Sequence, residues 1–355
     1  IRVMPQGEQR CPQCDELVDA DAGLCPVCGE LLLDRIRPES NTLMRIPWHR
    51  RVSFLSIFLV VMLVGGIIGF GRFFLRQAAL VYDMSLLGLS SDIEARILED
   101  LQVTSGVVLL TGPTGSGKTT SLYTFLSRIN SPDVKIITLE DPVEYQLDGI
   151  NQVQVQPDIG FDFARGWRSI VRQDPDVIML GEIRDHETAS VAMQSALTGH
   201  LVFSTVHTNN APSAFTRLLD LGVEEFLLTA ALRSIVAQRL ARRLCECAIP
   251  HPDAEQLMTR YELSELAERS GVRAPDLRQL VGCDDCGHTG YRGRLAIVEY
   301  LRCDDTVAAR DKGDRFVAQA RAHMRASGGR SLLEDGLLKV LCGDTTVEEV
   351  FRVAG

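Results

Sequence analysis

Apolar residues fall along this chain in one long run and several short ones. The long run, Val52 to Phe70, reads VSFLSIFLVVMLVGGIIGF, carries no charge and is flanked by Arg50, Arg51 and Arg72. About 20 predominantly apolar residues span a bilayer as a helix, and interior serines can bond back to their own helix. The run therefore predicts one transmembrane helix over residues 52–71. A buried core helix is the alternative; a cleaved signal peptide does not fit a run so far from the N-terminus. The short runs are Val107–Thr111, Val134–Thr138, Asp176–Leu180 and Leu201–Thr205. Runs of this length that end in polar residues read as parallel strands of an open α/β sheet, which deliver side chains to their carboxyl edge. The helical pattern SLYTFLSRI follows the first of them.

Composition fits a globular chain. Of 355 residues, 45% are hydrophobic and 24% charged, which excludes wholesale disorder and a collagen-like repeat. That length allows roughly two or three domains. The net charge of -10 disfavours broad binding to a nucleic-acid backbone.

Eight of the ten cysteines lie in four close pairs, a clustering that favours metal over disulfide. Cys11, Cys14, Cys25 and Cys28 form two Cys-x-x-Cys turns and read as a zinc-ribbon-like knuckle over residues 1–34, closed around one Zn²⁺. A redox dithiol is the alternative, although it usually accompanies a βαβ pattern missing there. Residues 35–51, with five arginines, read as a basic linker. The second set is Cys245, Cys247, Cys283 and Cys286, whose first pair is separated by a single residue. Two thiolates one residue apart point to opposite sides of an extended backbone, so a shared Zn²⁺ requires a tight bend. An intact zinc site and a metal-free knuckle held by packing both stay open. Cys303 and Cys342 stand alone and read as small core residues.

The richest chemistry follows the first short run, where Gly112, Thr114, Gly115, Ser116, Gly117, Lys118, Thr119 and Thr120 belong to a G-x-x-x-x-G-K-T loop. Glycines let successive N–H groups curl toward a β-phosphate, and the next helix adds its positive end. Lys118 reaches the β- and γ-oxygens, and the Thr119 hydroxyl ligates Mg²⁺. The ligand implied is a nucleotide with Mg²⁺. The other runs lead to Glu140-Asp141-Pro142, to Gly181-Glu182-Ile183-Arg184-Asp185 and to His207-Thr208-Asn209. An acidic residue after a strand is more often a cap or a solvated turn than a catalyst, but three such stretches behind a P-loop mark one site.

Together these stretches resemble the type II secretion and type IV pilus assembly ATPase family, from about Leu86 to Val353. GPTGSGKTT is similar to the family's Walker A and ITLEDPVEYQ to its Asp box. RQDPDVIMLGEIRD is similar to its Walker B, with glycine for the usual first acid, and TGHLVFSTVHTNNA to its His box. QRLARRLC, GCDDCGHTGYRGR and SLLEDGLLKVLCGDTTVEEV continue the match. The resemblance implies a RecA-like α/β P-loop ATPase domain over residues 72–244 and a C-terminal metal-binding and helical subdomain over residues 245–355. It implies that Glu140 polarises the attacking water, that Glu182 acts at Mg²⁺ through water and that His207 senses the γ-phosphate. Arg168 and Arg172 would lie near the nucleotide or a subunit boundary. A homo-hexameric ring is implied, working with an inner-membrane platform protein and other secretion or pilus machinery, its ATPase domain on the cytoplasmic side. Retraction motors of the superfamily generally lack the cysteine tetrad and the TGYRGR-like segment, so the assembly or secretion branch is expected. The alternatives are a P-loop motor on nucleic acid and a membrane-anchored scaffold that binds ATP with little turnover.

The front of the chain departs from the family. Its members carry a globular N-terminal subdomain that supplies arginines to the nucleotide, whereas here only RFFLRQAALVYDMSLLGL is similar to the tail of one. Slow turnover and poor ring formation are therefore expected of this chain alone. Five arginines before the apolar run (Arg35, Arg37, Arg45, Arg50, Arg51) against Arg72 and Arg76 after it would hold the N-terminus in the cytoplasm, where the ATPase must also be. One span cannot satisfy both, so a fusion or misassembled reading frame is expected for residues 1–71.

Overall fold

The computed structural model describes residues 8–10, 17–19, 82–313 and 315–355. The expected transmembrane run, the basic linker and Cys11, Cys14, Cys25 and Cys28 lie outside the described residues. Near the front, Glu8–Arg10 pairs antiparallel with Leu17–Asp19. Among the described residues no helix is long and apolar enough to cross a membrane.

The short apolar runs become neighbouring strands of one sheet. The strands are β1 (Gly106–Thr111), β2 (Ile136–Glu140), β3 (Asn151–Gln154), β4 (Val177–Leu180), β5 (Leu201–Val206), β6 (Leu232–Leu244) and β7 (Tyr291–Arg302). They hydrogen-bond in the order β7-β6-β1-β5-β4-β2-β3, all parallel except β7, which runs antiparallel along β6. β1, β2, β4 and β5 are buried at every position, as strands covered on both faces must be.

Alternate side chains of β1 feed two cores. Val107 and Leu109 pack with Ala192 and Met193 of α4 (His186–Leu197), Phe215 of α5 (Ala211–Asp220) and Phe316 of α6 (Phe316–Ala326). Val108 and Leu110 pack with Ile97 of α1 (Ser91–Asp100) and with Leu122 and Phe125 of α2 (Lys118–Ile129). Each such large side chain taken from water contributes about 1.5–3 kcal/mol. α3 (Phe163–Ile170) adds Trp167 and Ile170 to the first core.

A sequence-based strand boundary differs from the structure. The second run starts as a strand at Ile136, two residues later than the apolar pattern, and extends through Glu140. A glutamate can end a buried strand here because side-chain donors satisfy it, as described below. Beyond residue 244 the chain returns to the same sheet, β7 hydrogen-bonding along β6. The last two helices, α7 (Leu332–Leu341) and α8 (Val347–Ala354), lie beyond β7 in the chain. α8 is tied back to β6 through Glu349, which accepts from the Arg242 N–H at 2.8 Å, from its guanidinium at 2.7 Å and from Arg352 at 2.6 Å. Burial works against ionisation, but the hydrogen bonds from Arg352 and Arg242 outweigh it and hold the Glu349 carboxyl down to about 2.

Candidate nucleotide site and cysteine cluster

The strand order puts the carboxyl ends of β1, β5, β4 and β2 side by side, which is where an open parallel sheet builds a site. The glycine loop leaves β1 and enters α2. Gly112 (φ 151°), Gly115 (φ 79°) and Gly117 (φ 86°) adopt left-handed backbone. At Gly112 space also forbids a side chain, since a Cβ would lie 2.5 Å from the Gln238 carbonyl and 2.6 Å from Ser116 Oγ. Unlike α4 and α5, whose first turns are capped by Asp185 and Asn210, α2 has no side-chain cap. Its leading N–H groups are left for the loop side, the arrangement that favours an anion. Asp185 and Asn210 are thus capping residues within stretches that the sequence singled out.

Lys118 lies over the loop, donating to the carbonyls of Gly112 at 2.8 Å and Pro113 at 3.1 Å. Burial pushes its ammonium below the ordinary lysine value, Glu182 opposes that, and Arg239 adds to it. Thr114, Thr119 and Thr120 are exposed along the loop and first turn, whereas Ser116 is buried with no hydrogen-bond partner for its hydroxyl among the described residues. Glu182, two residues past β4, pairs with Arg184 and lies 3.3 Å from His207 Nε2, just past β5. β5 is keyed to its neighbours by Thr205 Oγ1 donating to the Gly181 carbonyl at 2.8 Å. The Thr111 and Thr208 hydroxyls, 2.7 Å apart, join the loop's first residues to the His207 stretch.

Glu140 is buried at the end of β2, accepting from Tyr123 at 2.5 Å, Thr138 at 2.5 Å and Gln152 at 3.1 Å. Arg168, on α3, is exposed and pairs with Glu187 at the start of α4, while Arg172 is exposed in the following 3-10 turn. Among the described residues neither makes an ion pair or hydrogen bond with Lys118, Glu182 or His207.

Several working residues escape a motif reading. Gln238 of β6 staples the loop, donating through Nε2 to the Ser116 carbonyl at 2.9 Å and accepting from Ser121 at 2.8 Å. Arg239 donates to the Gln238 carbonyl and, at 2.8 Å, to the Asn209 carbonyl, tying β6 to the His207 stretch. Gln238 and Arg239 open the QRLARRLC stretch, which gave them no role; Tyr123 and Gln152 carried no signal.

The four C-terminal thiols converge. After β6 the chain turns at once, the Ala248 N–H donating to the Cys245 carbonyl at 2.9 Å. That turn supplies the bend the single-residue spacing required, and the sulfurs of Cys245, Cys247, Cys283 and Cys286 all lie within 4.8 Å of one another. Three of their separations are 3.8, 3.8 and 4.0 Å. A tetrahedral ion with bonds of about 2.3 Å needs sulfur edges of about 3.8 Å, so the set fits one. The Cys283 N–H at 3.1 Å and the Gly290 N–H at 3.3 Å donate to Cys286 Sγ and, against burial, bring its thiol down to about 6.

Strand, glycine loop and uncapped helix in this order define a P-loop nucleotide-binding protein of the α/β class. Within that class the match is narrower: residues 49–352 fit the family described as type II/IV secretion system protein, and the chain belongs to that family. It is 48% identical over 280 residues to type II secretion system protein E of Xanthomonas campestris, covering 79% of this chain and 49% of that one. With the type IV pilus assembly ATPase PilB of Thermus thermophilus it shares 47% identity over 278 residues, 78% of this chain and 31% of PilB. The chain thus spans about half the length of the first of these relatives and less of the second. The pilus retraction motor PilT, solved with bound ADP, superposes with a TM-score of 0.57 at 26% identity, over 77% of this chain and 67% of that one. The ATPase DotB of Legionella pneumophila shares the fold, with a TM-score of 0.55 over 76% of this chain and 64% of that one, at 24% identity.

Proposed function

We propose that this protein is an ATP-hydrolysing motor that powers pseudopilus or pilus assembly, or protein secretion, at the bacterial inner membrane. The observation that carries the reading is the placing of the glycine loop with Lys118, of Glu182 and of His207 beyond the carboxyl ends of the adjacent parallel strands β1, β4 and β5, with Glu182 3.3 Å from His207 Nε2. Phosphoryl transfer asks a protein for positioning and charge rather than covalent chemistry. The loop N–H groups and Lys118 hold the phosphates, His207 reads the γ-phosphate, and Glu140 polarises the attacking water. Thr119 and Glu182 hold Mg²⁺, which when bound neutralises charge on the phosphates. The cysteine tetrad holds Zn²⁺ in a closed, structural site. Arg168 and Arg172, being exposed, suit a subunit boundary in a homo-hexamer. The ATPase domain works on the cytoplasmic side, where ATP is, against a platform protein and other machinery of that membrane. The test is ATP hydrolysis by the full chain, with oligomeric state measured in the same preparation. Hydrolysis lost in Lys118→Ala supports the reading; absence of ATP binding by the unaltered chain overturns it.

A further inference from the structure

We propose that Tyr123 is the positioning residue of Glu140, and that Tyr82 braces it from the segment leading into the core. The proposal rests on the reading that Glu140 polarises the attacking water. Glu140 is 3% exposed, so its oxygens depend on protein donors. Oε1 has two, Thr138 Oγ1 at 2.5 Å and Gln152 Nε2 at 3.1 Å. Gln152 is itself fixed, accepting from the Leu147 N–H at 2.7 Å and donating to the Tyr145 carbonyl at 3.0 Å. Oε2 takes its bond, among the described residues, from the Tyr123 phenol alone, at 2.5 Å. Removing that phenol leaves a buried carboxylate oxygen without a donor and frees the group to turn.

Tyr123 is also the donor that belongs to the nucleotide loop's own helix. It lies on α2, which opens at Lys118, so any displacement of α2 by bound phosphate carries the phenol with it. The Glu144 N–H donates to the phenol oxygen at 3.3 Å, which leaves the phenol proton for Glu140. Burial first, and then the bond to Glu140, push the phenol far above its ordinary value, so it stays a donor at any pH where hydrolysis is measured. Tyr82 packs edge-on against the Tyr123 ring, centroids 5.7 Å apart at 74°. The segment entering the core thereby touches the group that orients the carboxylate.

Single-turnover hydrolysis with the full chain in excess over ATP reads the chemical step even where steady turnover is slow. Tyr123→Phe is expected to slow it about 10- to 100-fold, as loss of a hydrogen bond to a charged group does, with ATP affinity within about twofold. In a Glu140→Gln background Tyr123→Phe should change nothing further, because its effect runs through that carboxylate. Tyr82→Leu, which leaves the phenol and carboxylate in place, should slow hydrolysis about two- to tenfold and likewise lose its effect with Glu140→Gln. An unaltered rate in Tyr123→Phe, equal losses in the two backgrounds, or a loss of ATP affinity that accounts for the rate would overturn the proposal. An unaltered rate in Glu140→Gln would instead overturn the reading of Glu140 on which it stands.

Discussion

Lys118 and Glu182 both lie at the carboxyl edge of the sheet, yet their removal should have opposite signatures. Saturating ATP with Mg²⁺ should stabilise the unaltered chain by about 2.7 kcal/mol at a hundredfold excess over Kd, and Lys118→Ala by nothing measurable in the same thermal melt. Glu182→Gln should keep that stabilisation and lower hydrolysis by about 10²- to 10³-fold, since it removes charge needed as the γ-phosphoryl group departs. Gly112→Ala tests the loop's packing: its Cβ would meet the Gln238 carbonyl at 2.5 Å on left-handed backbone. A loss of about 1–3 kcal/mol in urea unfolding, with weakened ATP binding, is expected. Lys118, Glu182 and His207 were legible in sequence because each sits in a contiguous stretch whose chemistry is local. Gln238 and Arg239 stood in a matched stretch, but their role was not legible, since their partners Ser116 and Asn209 are 122 and 30 residues away.

Among the elements, the turn after β6 meets the requirement that the cysteine spacing set. A one-residue separation is adverse on an extended strand, but Cys245 and Cys247 sit in a turn, where i and i+2 can share a side. Inserting a residue between them should therefore give no gain in zinc affinity, measured by chelator competition, and should displace Cys247 from the set. A tighter site would show instead that the turn is strained. Cys283→Ser should lower the zinc content of the full chain by about one equivalent, as loss of one of four ligands does to a closed site. β2 teaches a similar lesson: an apolar pattern locates a strand, but whether it extends through Glu140 depends on donors from α2 and β3.

Acid unfolding reads the molecule as a whole through the bond between α8 and β6. Glu349 is held down to about 2 in the folded chain against 4.5 as its ordinary value. The unfolded chain therefore binds the proton first on acidification. The contribution of Glu349 is fully present above about pH 4.5 and is lost as the pH falls toward about 2. Glu349→Gln should lower the urea midpoint at neutral pH and flatten its fall across that window; an unchanged acid slope would remove Glu349 from the account. The sequence by itself determined the parallel α/β core and the nucleotide edge, because short buried strands and a phosphate-binding loop are written in contiguous residues. Tertiary structure alone decided what those residues lean on. β7 closed on β6, and the turn after β6 gathered four thiols. Tyr123, Gln152 and Gln238 became supports of the site because a hydrogen bond joins atoms close in space, and only the packed sheet brings those atoms within reach.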